Sequence, residues 1–179
     1  MRRRRLLVVG LGLGLLVLVL VLVVLNLLSL WQVNDESGTF SMAQALPPCN
    51  GKVLAEGFTY RFRDPHRGEI VMFRARGQIG GEIVPTSHHA NLQINKRIIG
   101  VPGDSVEGKR GRVLVDGRPA DDIPTETFDA VHLGPKQYFV MGDNRIGSCD
   151  SRAWGPVPRS AFIGPVVATY WPPTRWTVR

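Results

Sequence analysis

From Leu6 to Leu30 the chain runs 25 residues without a charge, most of them Leu or Val. About 20 such residues in a helix span the hydrocarbon core of a bilayer. With no water there, a single segment can satisfy its backbone only as a helix. A cleaved secretory leader also opens on basic residues, but its apolar core is roughly 7–15 residues long and ends in a small-residue cleavage site. Here the run passes into Asn26-Leu27-Leu28-Ser29-Leu30-Trp31-Gln32 without such a site. Residues 1–5 are therefore expected as a cytoplasmic basic N-terminus, 6–30 as a transmembrane anchor in the lipid bilayer, and 31–179 as one domain outside the cytoplasm. Arg2 to Arg5 set this orientation, because basic flanks stay on the cytoplasmic side. Gly10-Leu11-Gly12-Leu13-Gly14 lies inside the apolar run and is read as part of the span, not as a nucleotide loop.

Charge narrows the partners. The chain carries 22 Lys and Arg against 15 Asp and Glu, a net of +7. Four of those cations are Arg2 to Arg5, so the remainder is close to balance. A nucleic-acid binder needs a basic stripe over its folded surface, and none is expected here. With 44% hydrophobic and 21% charged residues the chain is not a disordered one. Its two cysteines make neither a disulfide scaffold nor a four-cysteine zinc site. No metal and no cofactor is expected.

After Leu30 the pattern is one of short strands. Phe58-Thr59-Tyr60-Arg61-Phe62 alternates, and Glu69-Ile70-Val71-Met72-Phe73 follows the turn Pro65-His66-Arg67-Gly68. Ile98 to Val101 is stopped by Pro102-Gly103-Asp104, and Arg112 to Val115 reaches the hairpin signal Asp116-Gly117. Tyr138 to Met141 and Ala161 to Ala168 complete the series. No crossover helices are apparent, so the expected class is mainly β with a barrel-like core.

Four histidines, His66, His88, His89 and His132, make a Ser-His-Asp triad arithmetically possible, but none stands in a segment with other catalytic character. His88 and His89 fall in a polar loop and are read as loop residues. Lys96 is more informative. In a strand it shares a face with Ile98, while Arg97 shares the other with Ile99. One of these cations then points toward an apolar interior. Lys96 either lays its methylene stem on apolar surface with the ammonium in water, or is desolvated, with a lowered pKa that makes it a usable base.

Four stretches occur in order: Ser37-Gly38-Thr39-Phe40-Ser41-Met42, Arg67 to Phe73, Lys96 to Asp104, and Gly142 to Pro158, which contains Gly142-Asp143-Asn144-Arg145-Ile146-Gly147-Ser148-Cys149-Asp150-Ser151-Arg152. Together they resemble the sequence boxes of type I signal peptidases, the membrane-anchored serine proteases with a Ser/Lys dyad. The resemblance spans roughly Thr39 to Trp171. It implies a plasma-membrane endopeptidase, single-pass, that cleaves signal peptides from exported preproteins after small residues of Ala-x-Ala type, with the export machinery as a further partner. By the same resemblance Ser41 is the nucleophile and Lys96 the general base. Thr39 and Ser41 supply the oxyanion hole, and Ser148 orients the lysine. Asp150 with Arg152, and Asp143 with Arg145, support the site. A serine hydroxyl needs a base as it attacks, and a lysine serves only when neutral.

Departures accompany the likeness. Ala43-Gln44-Ala45 follows where a Pro-Thr-Leu-like stretch is usual, and Asn95 replaces an apolar residue before Lys96. The short stretch 105–137 implies only a small hairpin cap. Cys49 and Cys149 are expected to form a disulfide in the exported domain, two separate thiols being the alternative. A specialised maturation peptidase of the same fold, and a non-catalytic membrane-tethered domain that binds peptide strands, are the competing functions.

Overall fold

The computed structural model describes residues 2–29, 31–34, 42, 52–75, 92–171 and 177–178. They divide into two units, Met1–Gln32 and Val33–Arg179. The first holds helix α1 (Arg2–Ser29), which runs unbroken from the basic stretch through the glycines. Among the described residues no helix is long and apolar enough to cross a membrane. The side chains of residues 13–26 in α1 are exposed. Strand β1 (Trp31–Asn34) follows.

The second unit is mainly β, as expected. Its strands are β2 (Lys52–Glu56), β3 (Ile70–Ala75), β4 (Leu92–Gly100), β5 (Ser105–Lys109), β6 (Arg112–Val115), β7 (Arg118–Pro119), β8 (Phe128–His132), β9 (Gln137–Met141), β10 (Val157–Pro158), β11 (Phe162–Trp171) and β12 (Thr177–Val178). Helix α2 (Ser151–Trp154) has four residues. The main sheet runs β2-β11-β3-β4-β9-β10, with β12 added on β11. Every ladder is antiparallel. Among the described strands of this sheet no ladder joins β10 to β2. Register breaks in its β11 and β4 ladders increase the local twist.

The apolar runs are continuous because the central strands are covered on both faces. Val71 and Phe73, Ile98, Tyr138 and Val140 point into one cluster with Trp154, Val157 and Phe162. The alternate residues go the other way. Ile70 and Met72 join Met42, Val53 and Val166, while Ile99, Phe139 and Met141 pack on Val106, Val113 and Leu133.

Two segments differ from expectation. Phe58 to Phe62 is not a strand: Thr59–Arg61 forms a 3-10 turn. The Glu56 carboxylate accepts the Phe58 and Thr59 N–H groups at 2.9 and 3.0 Å, which winds the chain tightly where alternation suggested extension. The stretch 105–137 is more than a hairpin. It holds a second sheet, β7-β6-β5-β8, and its last residue, Gln137, already belongs to β9. The Asp116-Gly117 turn joins β6 to β7 with both residues at positive φ, 50° and 75°, as a two-residue hairpin requires. Phe128 of β8 stacks on Phe139 of β9 at 5.7 Å between ring centroids.

Candidate active site

Lys96 lies in mid-β4, opposite Val71 of β3. It shares a face with Ile98, whose side is filled by the first apolar cluster, and is only 3% exposed. Its Nζ donates to Ser148 Oγ at 3.0 Å. Ser148 in turn donates to Asp150 Oδ2 at 2.6 Å. The hydroxyl thus stands between the amine and the carboxylate.

The carboxylate is occupied elsewhere. Asp150 is fully buried and accepts Arg152 Nε at 2.8 Å, Arg152 Nη2 at 2.9 Å and the Gly142 N–H at 3.0 Å. Burial pushes the Asp150 carboxyl up, but bonds from Arg152, Ser148 and Gly142 outweigh it and hold it below the usual carboxylate range. An Asp at the start of α2 also suits the helix, since its side chain accepts the Arg152 backbone N–H at 3.3 Å. Ser151 pins the same turn to β9 by accepting the Val140 N–H at 3.0 Å. With Asp150 held by its own partners, burial dominates at Lys96. The amine pKa falls to about 8, the Asp150 charge opposing the fall.

Neighbouring pairs fix the strand and the loop. Arg97, on the opposite face, grips Asp143 with two bonds of 2.8 and 2.7 Å and donates to the Gly68 carbonyl at 2.7 Å. Arg145 is buried and does not pair with Asp143. It donates to the Gly142 carbonyl at 3.0 Å and to Asp121. Arg152 also reaches the carbonyls of Arg145 and Ser148 and the Glu126 carboxylate. Lys96, Ser148, Asp150 and Arg152 therefore form one connected group, which Arg145 joins through its carbonyl.

Several candidates lie elsewhere. Thr39, Ser41, Cys49, His88 and His89 are outside the described residues, as are Ala43, Gln44 and Ala45. Met42 is described and fully buried in the cluster with Met72 and Val53. Cys149 is exposed with a free thiol, and Cys49, the partner expected for it, lies outside the described residues. Its neighbours Ser148 and Asp150 turn toward Lys96, which leaves the side chain between them facing out. His66 and His132 are exposed. Among the described residues no cluster of metal-binding side chains occurs.

Two residues gain a role that sequence reasoning did not give them. Arg97 is the partner of Asp143, and Asp121 is the partner of Arg145. The adjacent cations Lys96-Arg97 fall on opposite faces of the strand, but that pattern names no partner for either. Asp121, in an irregular stretch, carries no local signal. Asn95 is 1% exposed, and its Oδ1 has no hydrogen-bond partner among the described residues.

Ahead of Arg97 the outer edge of β4 has no ladder partner among the described strands, since pairing with β9 begins there. An extended peptide could add to that edge next to Lys96.

Known proteins resemble this chain. It is 38% identical over 131 residues to a probable signal peptidase I-2 of Synechocystis sp., covering 70% of this chain and 57% of that protein. It is 34% identical over 131 residues to a signal peptidase I of Leptolyngbya laminosa, covering 70% and 63%. The chain thus spans about three fifths of the length of these relatives. A crystal structure of a signal peptidase I from Enterococcus faecalis V583 aligns over 58% of this chain and 97% of that one, with a TM-score of 0.46 and 23% identity. The family model described as signal peptidase, peptidase S26, matches residues 9–171. The chain belongs to the peptidase S26 family of signal peptidases.

Proposed function

We propose that this chain is a membrane-anchored serine endopeptidase that removes signal peptides from exported preproteins, with Ser41 as nucleophile and Lys96 as general base. The observation that carries the reading is the enclosed Lys96 amine, tethered to a hydroxyl and not to a carboxylate, with a pKa near 8. An amine in that condition supplies a neutral base at a pH where an ordinary lysine is almost wholly charged. Ser148 holds one N–H and so fixes the rotation of the amine, leaving its lone pair for the nucleophile.

In the proposed reaction Lys96 Nζ takes the Ser41 hydroxyl proton as Oγ attacks the scissile carbonyl carbon. The C–O bond forms, and the carbonyl electron pair moves to oxygen. The Ser41 N–H and the Thr39 hydroxyl donate to that oxyanion. Collapse breaks the C–N bond, and Lys96 returns its proton to the leaving amine. Water then loses a proton to Lys96 as its oxygen adds to the acyl carbon, the C–Oγ bond breaks, and Ser41 Oγ takes that proton back from Lys96.

The β4 edge, without a ladder partner among the described strands, supports substrate binding as an added strand. In an extended peptide P1 and P3 face the same side while P2 faces the other, so small side chains would be selected two positions apart. The apolar run in α1 supports the anchor, and Arg2 to Arg5 support a cytoplasmic N-terminus with the β unit on the far side.

The test is incubation of the purified chain with a labelled preprotein beside Ser41→Ala and Lys96→Ala. Cleavage after an Ala-x-Ala site, lost to a similar degree in each variant and no further in the double variant, is the expected result. Substantial turnover by Lys96→Ala would sink the dyad. Cleavage confined to one dedicated substrate would favour a maturation peptidase, and binding without cleavage a peptide-binding domain.

A further inference from the structure

Two carboxylates of one segment meet two arginines of the loop that carries Ser148. Asp121 accepts Arg145 Nη2. Glu126 accepts Arg152 Nη1 at 3.1 Å. The segment between β7 and β8 has no strand of its own, yet it is held in place. The Ile123 N–H donates to Asp121 Oδ1 at 3.0 Å, and the Thr125 N–H to the Gly111 carbonyl at 3.0 Å. Gly108 of β5 makes room for it: a Cβ there would fall 2.3 Å from the Phe128 ring and 2.5 Å from the Glu126 carbonyl.

From Asp121 the contacts run without a break to the lysine. Arg145 is buried, and a buried guanidinium needs its counter-charge to stay where it is. Its Nε holds the Gly142 carbonyl, and its own carbonyl accepts Arg152 Nη2 at 2.7 Å. Arg152 holds Asp150, Asp150 accepts the Ser148 hydroxyl, and Ser148 accepts from Lys96. We infer that Asp121 and Glu126, in the segment between β7 and β8, form a positioning clamp for the lysine base, with Asp121, acting through Arg145, as its principal contact. The inference rests on the Ser/Lys reading above.

The titratable groups that act on Lys96 are Asp150, Cys149, Arg152 and Asp143. Those that face Asp121 are Arg145, in contact, and Arg97. A change at Asp121 therefore reaches Lys96 through the shape of the loop, not through its own field. Loosening the loop admits water to Nζ and returns the amine toward an ordinary lysine.

The experiment compares the full chain with Asp121→Asn and Asp121→Glu, and with Asp122→Asn as control, since Asp122 makes only an exposed pair with Arg112 at 3.5 Å. Competitive labelling of the Lys96 amine across pH, read by mass spectrometry, needs no substrate. Asp121→Asn is expected to raise the labelling midpoint by about half a pH unit or more. On a preprotein, kcat should fall about 10-fold with KM little changed, as for a misplaced base. Asp121→Glu cannot serve both Arg145 and the Ile123 N–H, so it should shift the midpoint the same way by less. Asp122→Asn should match the parent. An unchanged midpoint in folded Asp121→Asn overturns the clamp. If that variant does not fold, Asp121→Glu decides: a raised midpoint supports the clamp and an unchanged one overturns it. Shifted labelling in a chain that cleaves no preprotein would overturn the proposed function and leave the clamp standing.

Discussion

An enclosed lysine is a charge held where the fold disfavours it, and the sign of that penalty can be measured at Lys96. Its folded pKa of about 8 lies below the ordinary value of 10.5. Between those values the unfolded chain binds the proton more readily than the folded one. The penalty is therefore full below about pH 8 and is relieved as pH rises toward 10.5, amounting to about 3 kcal/mol. Lys96→Met is expected to raise Tm at pH 7 while abolishing cleavage, with the gain fading by pH 10.5; thermal melts at the two pH values check it. In the parent, activity should rise with pH through a limb centred near 8, because only the neutral amine accepts a proton. Asp150→Asn should move that limb to lower pH, since the Asp150 charge raises the lysine pKa. It should also cost about 3–5 kcal/mol in urea unfolding, because Arg152 loses its partner inside the site. A pH–rate profile that moves upward instead would contradict this account of the lysine's surroundings.

At the scale of elements, β11 passes close against the end of β2. A Cβ on Gly164 would lie 1.6 Å from the Glu56 carbonyl oxygen, so β11 carries a residue without a side chain there. Gly164→Ala is expected to destabilise the sheet by about 3 kcal/mol or more, through strain that no rotamer relieves. Chemical unfolding measures it, and a shift under about 0.5 kcal/mol would mean the strands part freely. The main strands were legible in the sequence because Ile70 to Phe73 and Tyr138 to Met141 are apolar on both faces and bounded by Gly and Pro. Lys96 was legible because its motif is long. The turn at Thr59 was not, because a carboxylate three residues earlier sets it and alternation does not report such a bond. Nor were Arg97–Asp143 and Arg145–Asp121, which lie 46 and 24 residues apart. Local pattern shows that a buried cation needs a partner, but not which distant acid the topology delivers.

For the molecule as a whole, the division into Met1–Gln32 and Val33–Arg179 leaves all three described apolar clusters within the second unit. A chain beginning at Trp31 is expected to fold alone, with a β-type circular dichroism spectrum and a cooperative melt. If 6–30 is the anchor, the full chain should float with lipid vesicles while the shortened one stays in the aqueous phase; equal flotation of both would remove α1 from that role. The span between Lys96 and Ser148, 52 residues along the chain, has a bearing on timing. Contacts of such separation form late, because the intervening chain must be ordered first. Until they form, nothing encloses the amine, and it is an ordinary cation unable to take a proton from serine. A chain emerging on the far side of a membrane would therefore be chemically silent while it folds. On the proposed reading, completing the sheet is the act that switches the base on.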